Sequence, residues 1–222
     1  MPKRATPESS NLQSPISQSP QPFLLEIGSE ELPSHDVIDV IAYLTEAAPK
    51  FLADLRLEHS EIQVLATARR QTILVDKLAP RQKDLEEMAR GPSAKIAFDA
   101  DGNPTRAAQG FARSKGVDVS DLKVQEMDGG EYVVATVRTE GRPTPEVLAE
   151  ALPDFVRSIP FGKSMRWLAS AQVGEEVAKT TYSRPIRWLV TMFGDAVVPF
   201  EYAGLASSHT SRGLRPEGSP VI

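Results

Sequence analysis

Cysteine is absent from this 222-residue chain, so disulfide frameworks, thiolate zinc sites and cysteine nucleophiles are all excluded. Histidine occurs only at His35, His59 and His209, and no two of these have the spacing of metal ligands on a helix. No apolar run approaches the roughly 20 residues that cross a bilayer, and the first residues lack the apolar segment of a secretory signal. These absences predict a cytoplasmic protein with no membrane association and no metal site.

The composition is that of a folded protein, with 41% hydrophobic and 25% charged residues and a formal net charge of -5. The length suits one large domain or two small ones. Residues 1–22 differ from the rest, because they hold five of the 18 prolines together with many serines and glutamines. They are expected to form a disordered leader or linker. Their proline content and the lack of an arginine-rich amphipathic pattern argue against a transit peptide.

Order is expected to begin at Phe23, where a short apolar run ends at Gly28 and predicts a strand. Apolar residues then recur every three or four positions after Pro33, which predicts an amphipathic helix with Ser34 as its cap. Pro49 lies inside this pattern and removes one backbone donor. Either the helix kinks or breaks there, or a second helix begins with Pro49 in its first turn.

The remaining pattern predicts an α+β fold, with mixed or antiparallel sheets and helices packed on them. A hairpin is predicted around Asp128-Gly129-Gly130, and Thr105 is the expected cap of a short helix that Gly116 closes. Residues 80–90 are charged and expected to be exposed. The predicted folded region is 23–206, with a subdivision near 80–120, and residues 207–222 are expected to be a polar connection to missing C-terminal domains. The predicted strands are 61–66, 71–78, 123–127, 131–140, 164–168, 186–193 and 197–202, and the predicted helices are 105–113 and 144–158, with a further short helix from Ser120.

Charge is unevenly distributed along the chain. Residues 26–61 carry nine acidic residues and two basic ones, whereas residues 163–187 carry five basic and two acidic ones. Both tryptophans lie in this basic stretch, and arginine beside an aromatic ring is a pairing that stacks bases and binds phosphates. Trp188 lies in an apolar strand and is expected to be a core residue whose indole finds a hydrogen-bond partner. For Trp167 the core and the binding interpretations remain equally open.

Paired acids at Glu30 and Glu31 are candidates for acid–base work, but adjacent residues in a loop rarely converge on one atom. A structural role is favoured, either pairing with arginine or capping the next helix. Arg69 and Arg70 follow a predicted strand. They are candidates for an anion-binding site or for ion pairs with Glu30 and Glu31. The sequence contains no glycine-rich phosphate loop, no nucleophile elbow and no dinucleotide fingerprint, and we assign it no catalytic residue.

Six motifs in order resemble the N-terminal third of the β subunit of bacterial two-subunit glycyl-tRNA synthetase. Any one of them is weak, but the ordered set is specific. The resemblance runs from about Phe23 to the end of the chain. Departures are Ser29 and Ala68, where the family usually has threonine and proline, and Leu214, where it usually has histidine. The motifs are Glu26–Pro33, Thr67–Arg70, Arg90-Gly91-Pro92, Phe98–Arg113, Met165-Arg166-Trp167 and Arg184–Trp188.

The resemblance implies that the complete enzyme joins glycine to its tRNA with ATP. It implies an α subunit that holds ATP, magnesium and glycine, a heterotetramer of two α and two β subunits, and no cofactor in this chain. Residues 1–22 would suit a linker if α and β were fused. The candidate contacts to tRNA or to the α subunit are Arg69, Arg70, Arg166, Trp167, Arg184, Arg187, Arg212 and Arg215.

Two alternative functions remain open at this point. One is a protein-interaction scaffold, which would bind the α subunit without contributing to tRNA affinity. The other is a stand-alone hydrolase acting on aminoacyl-tRNA, with Glu30, Glu31, Arg69 and Arg70 in a cleft.

Overall fold

The structure is a computed structural model that describes residues 19–99, 101–127, 129–166, 181–213, 217–218 and 220–222. The chain forms two compact units. Unit 1 comprises Met1–Gln82 and Arg142–Ile222, and unit 2 comprises Lys83–Gly141. The domain extents predicted from the sequence stay predictions, and the leader up to residue 18 lies outside the described residues. The first strand begins at Gln21, two residues before the expected start of order.

The described residues form antiparallel sheets and four α-helices, and the predicted α+β class is confirmed. Thr144–Arg157 confirms the predicted helix at 144–158. The helices are α1 (Ser34–Asp54), α2 (Ala94–Ala97), α3 (Arg106–Lys115) and α4 (Thr144–Arg157), with a single 3₁₀ turn at Val119–Asp121. The strands are β1 (Gln21–Ser29), β2 (Ile62–Thr67), β3 (Arg70–Leu78), β4 (Leu85–Ser93), β5 (Lys123–Met127), β6 (Gly130–Thr139), β7 (Met165–Arg166), β8 (Thr181–Tyr182), β9 (Ile186–Phe193), β10 (Ala196–Val197), β11 (Glu201–Tyr202) and β12 (Leu205–Ala206).

Unit 1 is built on a five-stranded antiparallel sheet in the order β10-β9-β1-β3-β2. Alternate residues of β1, such as Leu25 and Ile27, point into a core that α1 and α4 also line. Phe51 of α1 and Phe155 of α4 stack with ring centroids 4.3 Å apart. Because the side chains of a strand alternate, Glu26 and Gly28 point to the opposite face of the sheet.

Helix α1 differs from its prediction at two positions. It runs through Pro49 without a break, and its cap residue is Pro33, with no side-chain hydrogen bond from Ser34. Leu44, Ala48 and Leu52 are buried on its inner face. Burial on both sides of the proline offsets the single backbone bond that the ring removes, because packing of the apolar face supplies most of a helix's stability.

Three further differences concern strands. Residues 85–93, many of which are charged, form β4, although no element was predicted there. Strand β4 lies at the edge of its sheet, where charged side chains are tolerated. The predicted strand 197–202 divides into the end of β10 and β11. Strand β7 covers only Met165–Arg166 of the predicted 164–168, and residues 167–168 lie outside the described part.

Unit 2 is a three-stranded antiparallel sheet in the order β4-β6-β5, with α2 and α3 on one face. The predicted hairpin is confirmed as β5 and β6. Gly91 approaches the Phe111 ring of α3 so closely that a Cβ atom there would lie 2.6 Å from a ring carbon. Gly116 ends α3 in the left-handed conformation with φ of 68°, as predicted. The short helix expected from Ser120 is a single 3₁₀ turn.

The two chain segments that flank unit 2 meet within unit 1. The backbone N–H of Gln82 donates to the carbonyl of Arg142 at 2.9 Å, and the N–H of Arg142 donates to Oε1 of Gln82 at 3.2 Å. Gln82 also donates to the carbonyl of Leu55, just beyond the end of α1, at 2.8 Å. Unit 2 therefore leaves and rejoins unit 1 at one hydrogen-bonded junction.

Over the described part of the chain, no helix combines the length and the apolar character that a membrane span requires.

We expect Thr105→Ala to destabilise unit 2. The Thr105 hydroxyl accepts from the N–H of Ala107 at 3.2 Å and donates to the carbonyl of Ile96 at 2.7 Å, so it caps α3 and ties it to α2. Loss of such a cap costs about 1 kcal/mol of unfolding free energy. Hydrogen exchange of the α3 amides measures the loss, and Thr105→Ser, which keeps the hydroxyl, is the control. Equal protection in the wild type and in Thr105→Ala would contradict the capping role.

Candidate functional site

One end of the unit 1 sheet brings together motifs that lie far apart in sequence. Because β1 is antiparallel to both β3 and β9, the end of β1, the β2–β3 turn and the start of β9 lie at the same end of the sheet. The N–H of Ser29 donates to the carbonyl of Arg69 at 3.0 Å, and that of Glu30 donates to the carbonyl of Pro185 at 2.9 Å. The segments Glu26–Pro33, Thr67–Arg70 and Arg184–Trp188 therefore meet.

Trp188 lies across Gly28 at the centre of this end. Gly28 is paired with Trp188 of β9 on one side and with Arg70 of β3 on the other. A Cβ atom on Gly28 would lie 1.9 Å from Cε2 of the indole, so only glycine allows the ring to cross the strand. Trp188 is 8% exposed. The interpretation of Trp188 as a core residue is confirmed.

Glu26 holds the indole in place from within an otherwise apolar strand. Its Oε1 accepts from Nε1 of Trp188 at 2.6 Å and also from the hydroxyl of Ser211. Its Oε2 lies 3.5 Å from Nε of Arg70, and both side chains are largely buried. A carboxylate in this setting is stabilised by donors and by an opposite charge, because its burial alone would be costly. We call Glu26, Arg69, Arg70, Trp188 and Ser211 the Trp188 cluster.

Arg69 and Arg70 complete the Trp188 cluster. Their guanidinium carbons lie 5.7 and 5.6 Å from the centroid of the Trp188 ring, within the range of cation–π attraction. A pocket of about 230 Å³ opens beside them. It combines two guanidinium groups, one carboxylate and the indole, and it is lined by Glu31, Thr67, Ala68, Arg69, Arg70, Trp188 and Gly213.

Two buried hydrogen bonds fix the segment that leads into β9. Ser183 donates to Oδ2 of Asp36 in the first turn of α1, and Tyr182 donates to Oε1 of Gln71 at 2.9 Å. Burial raises the pKa of the Tyr182 phenol well above its ordinary value, so it remains protonated and acts as a donor. These bonds position Arg184 and the residues after it at the end of the sheet.

Three of the predicted arginines carry exposed charge at the same end of the sheet as the Trp188 cluster. Arg184 is exposed in the loop before β9, and Arg212 is exposed between Ser211, which bonds Glu26, and Gly213, which lines the pocket. Arg187 is 58% exposed and its Nε lies 3.1 Å from Oε1 of Glu30. The ion pair between Glu30 and Arg187 confirms pairing with an arginine, which is one of the two structural roles favoured for Glu30.

The remaining predicted site residues lie wholly or partly outside the described part of the chain. Arg166 lies in β7, and its side chain is outside the described part. Trp167 and Arg215 also lie outside the described residues. Whether any of these arginines contacts RNA or a subunit stays a prediction. Within the described ranges, no three acidic or histidine side chains are grouped to hold a metal ion.

The sequence analysis missed Glu26, Gly28 and Ser211 as parts of the site. Glu26 carried a signal, because a carboxylate in the middle of an apolar strand needs a buried partner. Gly28 was taken only as the end of that strand. Nothing local in the sequence connects Ser211 to Glu26, which is 185 residues away.

We expect Gly28→Ala to destabilise unit 1 by about 1–3 kcal/mol, the usual cost of overpacking, because the new methyl group must displace the Trp188 indole. Urea unfolding and tryptophan emission measure the change. Gly110→Ala is the matched control, since the added methyl group meets nothing within 4 Å inside α3 and gains about 1 kcal/mol of helix propensity. Wild-type stability and emission in Gly28→Ala would contradict the close packing.

Comparison with known proteins identifies the family. The sequence model described as glycyl-tRNA synthetase beta subunit matches residues 23–221. The glycine–tRNA ligase beta subunit of Desulfitobacterium hafniense is 44% identical over 90% of this chain, and that of Trichlorobacter lovleyi is 47% identical over 87%. These stretches make up 28% and 27% of the two relatives. The glycine–tRNA ligase, chloroplastic/mitochondrial 2, of Arabidopsis thaliana is 41% identical over 93% of the chain and 19% of its own length. The chain thus spans little more than a quarter of its bacterial relatives, and it belongs to the glycyl-tRNA synthetase β-subunit family as the N-terminal region of that subunit.

Proposed function

We propose that this chain is part of a glycine–tRNA ligase and supplies contacts to tRNA and to the α subunit, while the α subunit holds ATP, magnesium and glycine. The proposal takes the α subunit as the catalytic partner in a heterotetramer of two α and two β subunits located in the cytoplasm. The named β subunits among the relatives support an α partner. This chain is assigned no catalytic residue.

The observation that carries tRNA contact is the exposed positive charge around the Trp188 cluster. Arg184 and Arg212 come from segments that the sheet brings to one end, and both side chains are exposed. Their backbones are fixed, by Ser183 with Asp36 and by Ser211 with Glu26. Exposed guanidinium groups on a fixed backbone bind phosphate oxygens without the cost of ordering the main chain, so this end of the sheet suits a nucleic-acid backbone.

The hydrolase alternative is less well supported by this geometry. Oε1 of Glu30 lies 3.1 Å from Nε of Arg187, so this carboxylate is already occupied by an ion pair. In the scaffold alternative this chain binds the α subunit but does not contribute to tRNA affinity, which is its only difference from our proposal. It is therefore an outcome of the binding experiment.

We expect the chain to bind a tRNA(Gly) transcript with an affinity that falls as salt rises, because each phosphate contact releases counterions. Arg184→Ala combined with Arg212→Ala should weaken binding and reduce the slope of log K against log salt by about 2. The matched control is Lys50→Ala with Lys77→Ala, which removes the same charge from exposed positions at the other end of unit 1. Fluorescence anisotropy over a salt series measures both quantities.

An unchanged slope in the Arg184 and Arg212 variant would contradict tRNA contact at this end of the sheet. Tight binding of that variant to the α subunit, with unchanged tRNA affinity in the complex, would support the scaffold alternative.

We expect the purified chain to catalyse no glycine-dependent exchange of pyrophosphate into ATP, since the proposed ATP and glycine sites lie in the α subunit. The same assay with the α subunit added should show exchange. Its control is the α subunit without magnesium, which should be inactive. Exchange by this chain alone would contradict the assignment of catalysis to the partner.

A further inference from the structure

Within the described part of the chain, helices pack on one face of the unit 2 sheet. Helices α2 and α3 pack on the face that carries Val133, together with Ala97 and Ala108. Because side chains alternate along β6, Tyr132 and Val134 lie on the opposite face. We call that opposite side the open face of unit 2. It also carries Met88, Arg90, Lys123, Gln125 and Thr136, which are the cross-strand partners or same-face neighbours of Tyr132 and Val134.

An aromatic ring and a guanidinium group are stacked on this open face. The guanidinium carbon of Arg90 lies 3.7 Å from the centroid of the Tyr132 ring. Lys123 and Arg90 flank Val134 from the two neighbouring strands, and Gln125 lies opposite Tyr132. Arg90, Lys123 and Gln125 are exposed. This end of the open face thus presents three groups. They are the planar guanidinium of Arg90 stacked on the Tyr132 ring, the ammonium group of Lys123 and the amide of Gln125.

The acidic side chains nearest to Arg90 and Lys123 lie on the other face of the sheet. Glu87, Glu126 and Glu131 alternate with the residues above and point away from the open face. At the far end of the open face, Nη2 of Arg138 lies 2.6 Å from Oδ2 of Asp84, and Glu86 is its cross-strand neighbour. Positive charge is therefore concentrated at the end formed by Arg90 and Lys123.

We propose that this end of the open face of unit 2 binds unpaired nucleotides of an RNA strand. One base stacks on the outer side of the Arg90 guanidinium and so extends the stack of Arg90 on Tyr132. The ammonium group of Lys123 contacts a phosphate. The amide of Gln125 reaches a base edge. Arginine planes and aromatic rings on an open sheet are general platforms for unstacked bases. The inference rests on the proposed function, in which RNA is the partner, and assigns a second contact region to the Arg90-Gly91-Pro92 motif.

The open face suits RNA better than a protein. Val134 at its centre is only 5% exposed, so the face offers little apolar area to a protein partner there. Met88, the large apolar side chain exposed on this face, lies opposite Thr136, away from the Arg90 and Tyr132 stack. Protein interfaces are depleted of charged residues at their centre, whereas phosphates and bases favour the cations found here.

Anisotropy with a labelled tRNA(Gly) transcript and the full chain tests the inference. We expect Arg90→Ala to weaken binding by about fivefold or more, the loss of one stacked base. Arg90→Lys, which keeps the charge but lacks the planar group, should recover only part of that loss. Lys123→Ala should reduce the salt slope by about 1. The control is Arg113→Ala on α3, an exposed arginine on the covered side of the same unit.

A mapping experiment complements the affinities. Cross-linking of tRNA that contains 4-thiouridine, followed by mass spectrometry, should place a nucleotide on the peptide that contains Tyr132 or Arg90. Lys123→Ala changes only an exposed side chain, so it remains informative if Arg90→Ala misfolds.

The outcomes separate this inference from the proposed function. Wild-type affinity and slope in the Arg90 and Lys123 variants, with weakened binding in the Arg184 and Arg212 variant, would overturn the inference and leave the proposed function intact. No salt-dependent binding of tRNA by the wild type would overturn both. Loss of α-subunit binding with unchanged tRNA affinity would make the open face a protein interface and would also overturn the inference.

Discussion

The Trp188 indole lies across Gly28, and the order of unit 1 at this end of its sheet depends on that contact. The ring spans β1 from β9 to the arginines of the β2–β3 turn, so three strands are linked by one side chain. Glu26 fixes the ring from beneath through Nε1, and the same carboxylate holds Ser211 and Arg70. Exchange of the glycine, the carboxylate or the indole would therefore disturb segments that are more than a hundred residues apart.

This arrangement divides the arginines into two groups. Arg69 and Arg70 contact the buried ring and contribute to the fold, whereas Arg184 and Arg212 project from segments that the fold has already fixed. A positive group held on a rigid support is a better ligand for phosphate than one on a mobile chain, because less entropy is lost on binding. The acidic net charge of the whole chain is compatible with such local positive regions, since local potential governs contact.

Local signals in the sequence were sufficient for much of the fold. A short apolar run predicted β1, and stretches rich in Val, Ile, Thr and Leu predicted β2 and β3. Alternation of apolar residues predicted the β5–β6 hairpin, and a capping threonine and a closing glycine predicted α3. The break or second helix that the sequence allowed at Pro49 does not occur, because burial of Ala48 and Leu52 beside it offsets the lost hydrogen bond. Strand β4 was missed because its charged residues carry no apolar alternation.

The site was predictable only in part, for a physical reason. Residue types indicated that Trp188 would be buried, which is confirmed. They also indicated a structural role for Glu30, as an arginine partner or a helix cap, and the first of these is confirmed. The order of strands in the sheet is set by contacts between distant segments. Consequently, the sequence alone could not show that Gly28 lies between Arg70 and Trp188 or that Ser211 reaches Glu26.

The junction between Gln82 and Arg142 gives unit 2 the topology of an insertion. The two backbones are already hydrogen-bonded where the chain departs and returns, as they would be at the base of a short loop. The strands of unit 1 keep their register whatever length of chain connects these two residues, since closing a longer loop costs only about 0.6 kcal/mol for each doubling. A change in the length of the chain that forms unit 2 would therefore leave this junction, and the sheet that carries the Trp188 cluster, in place.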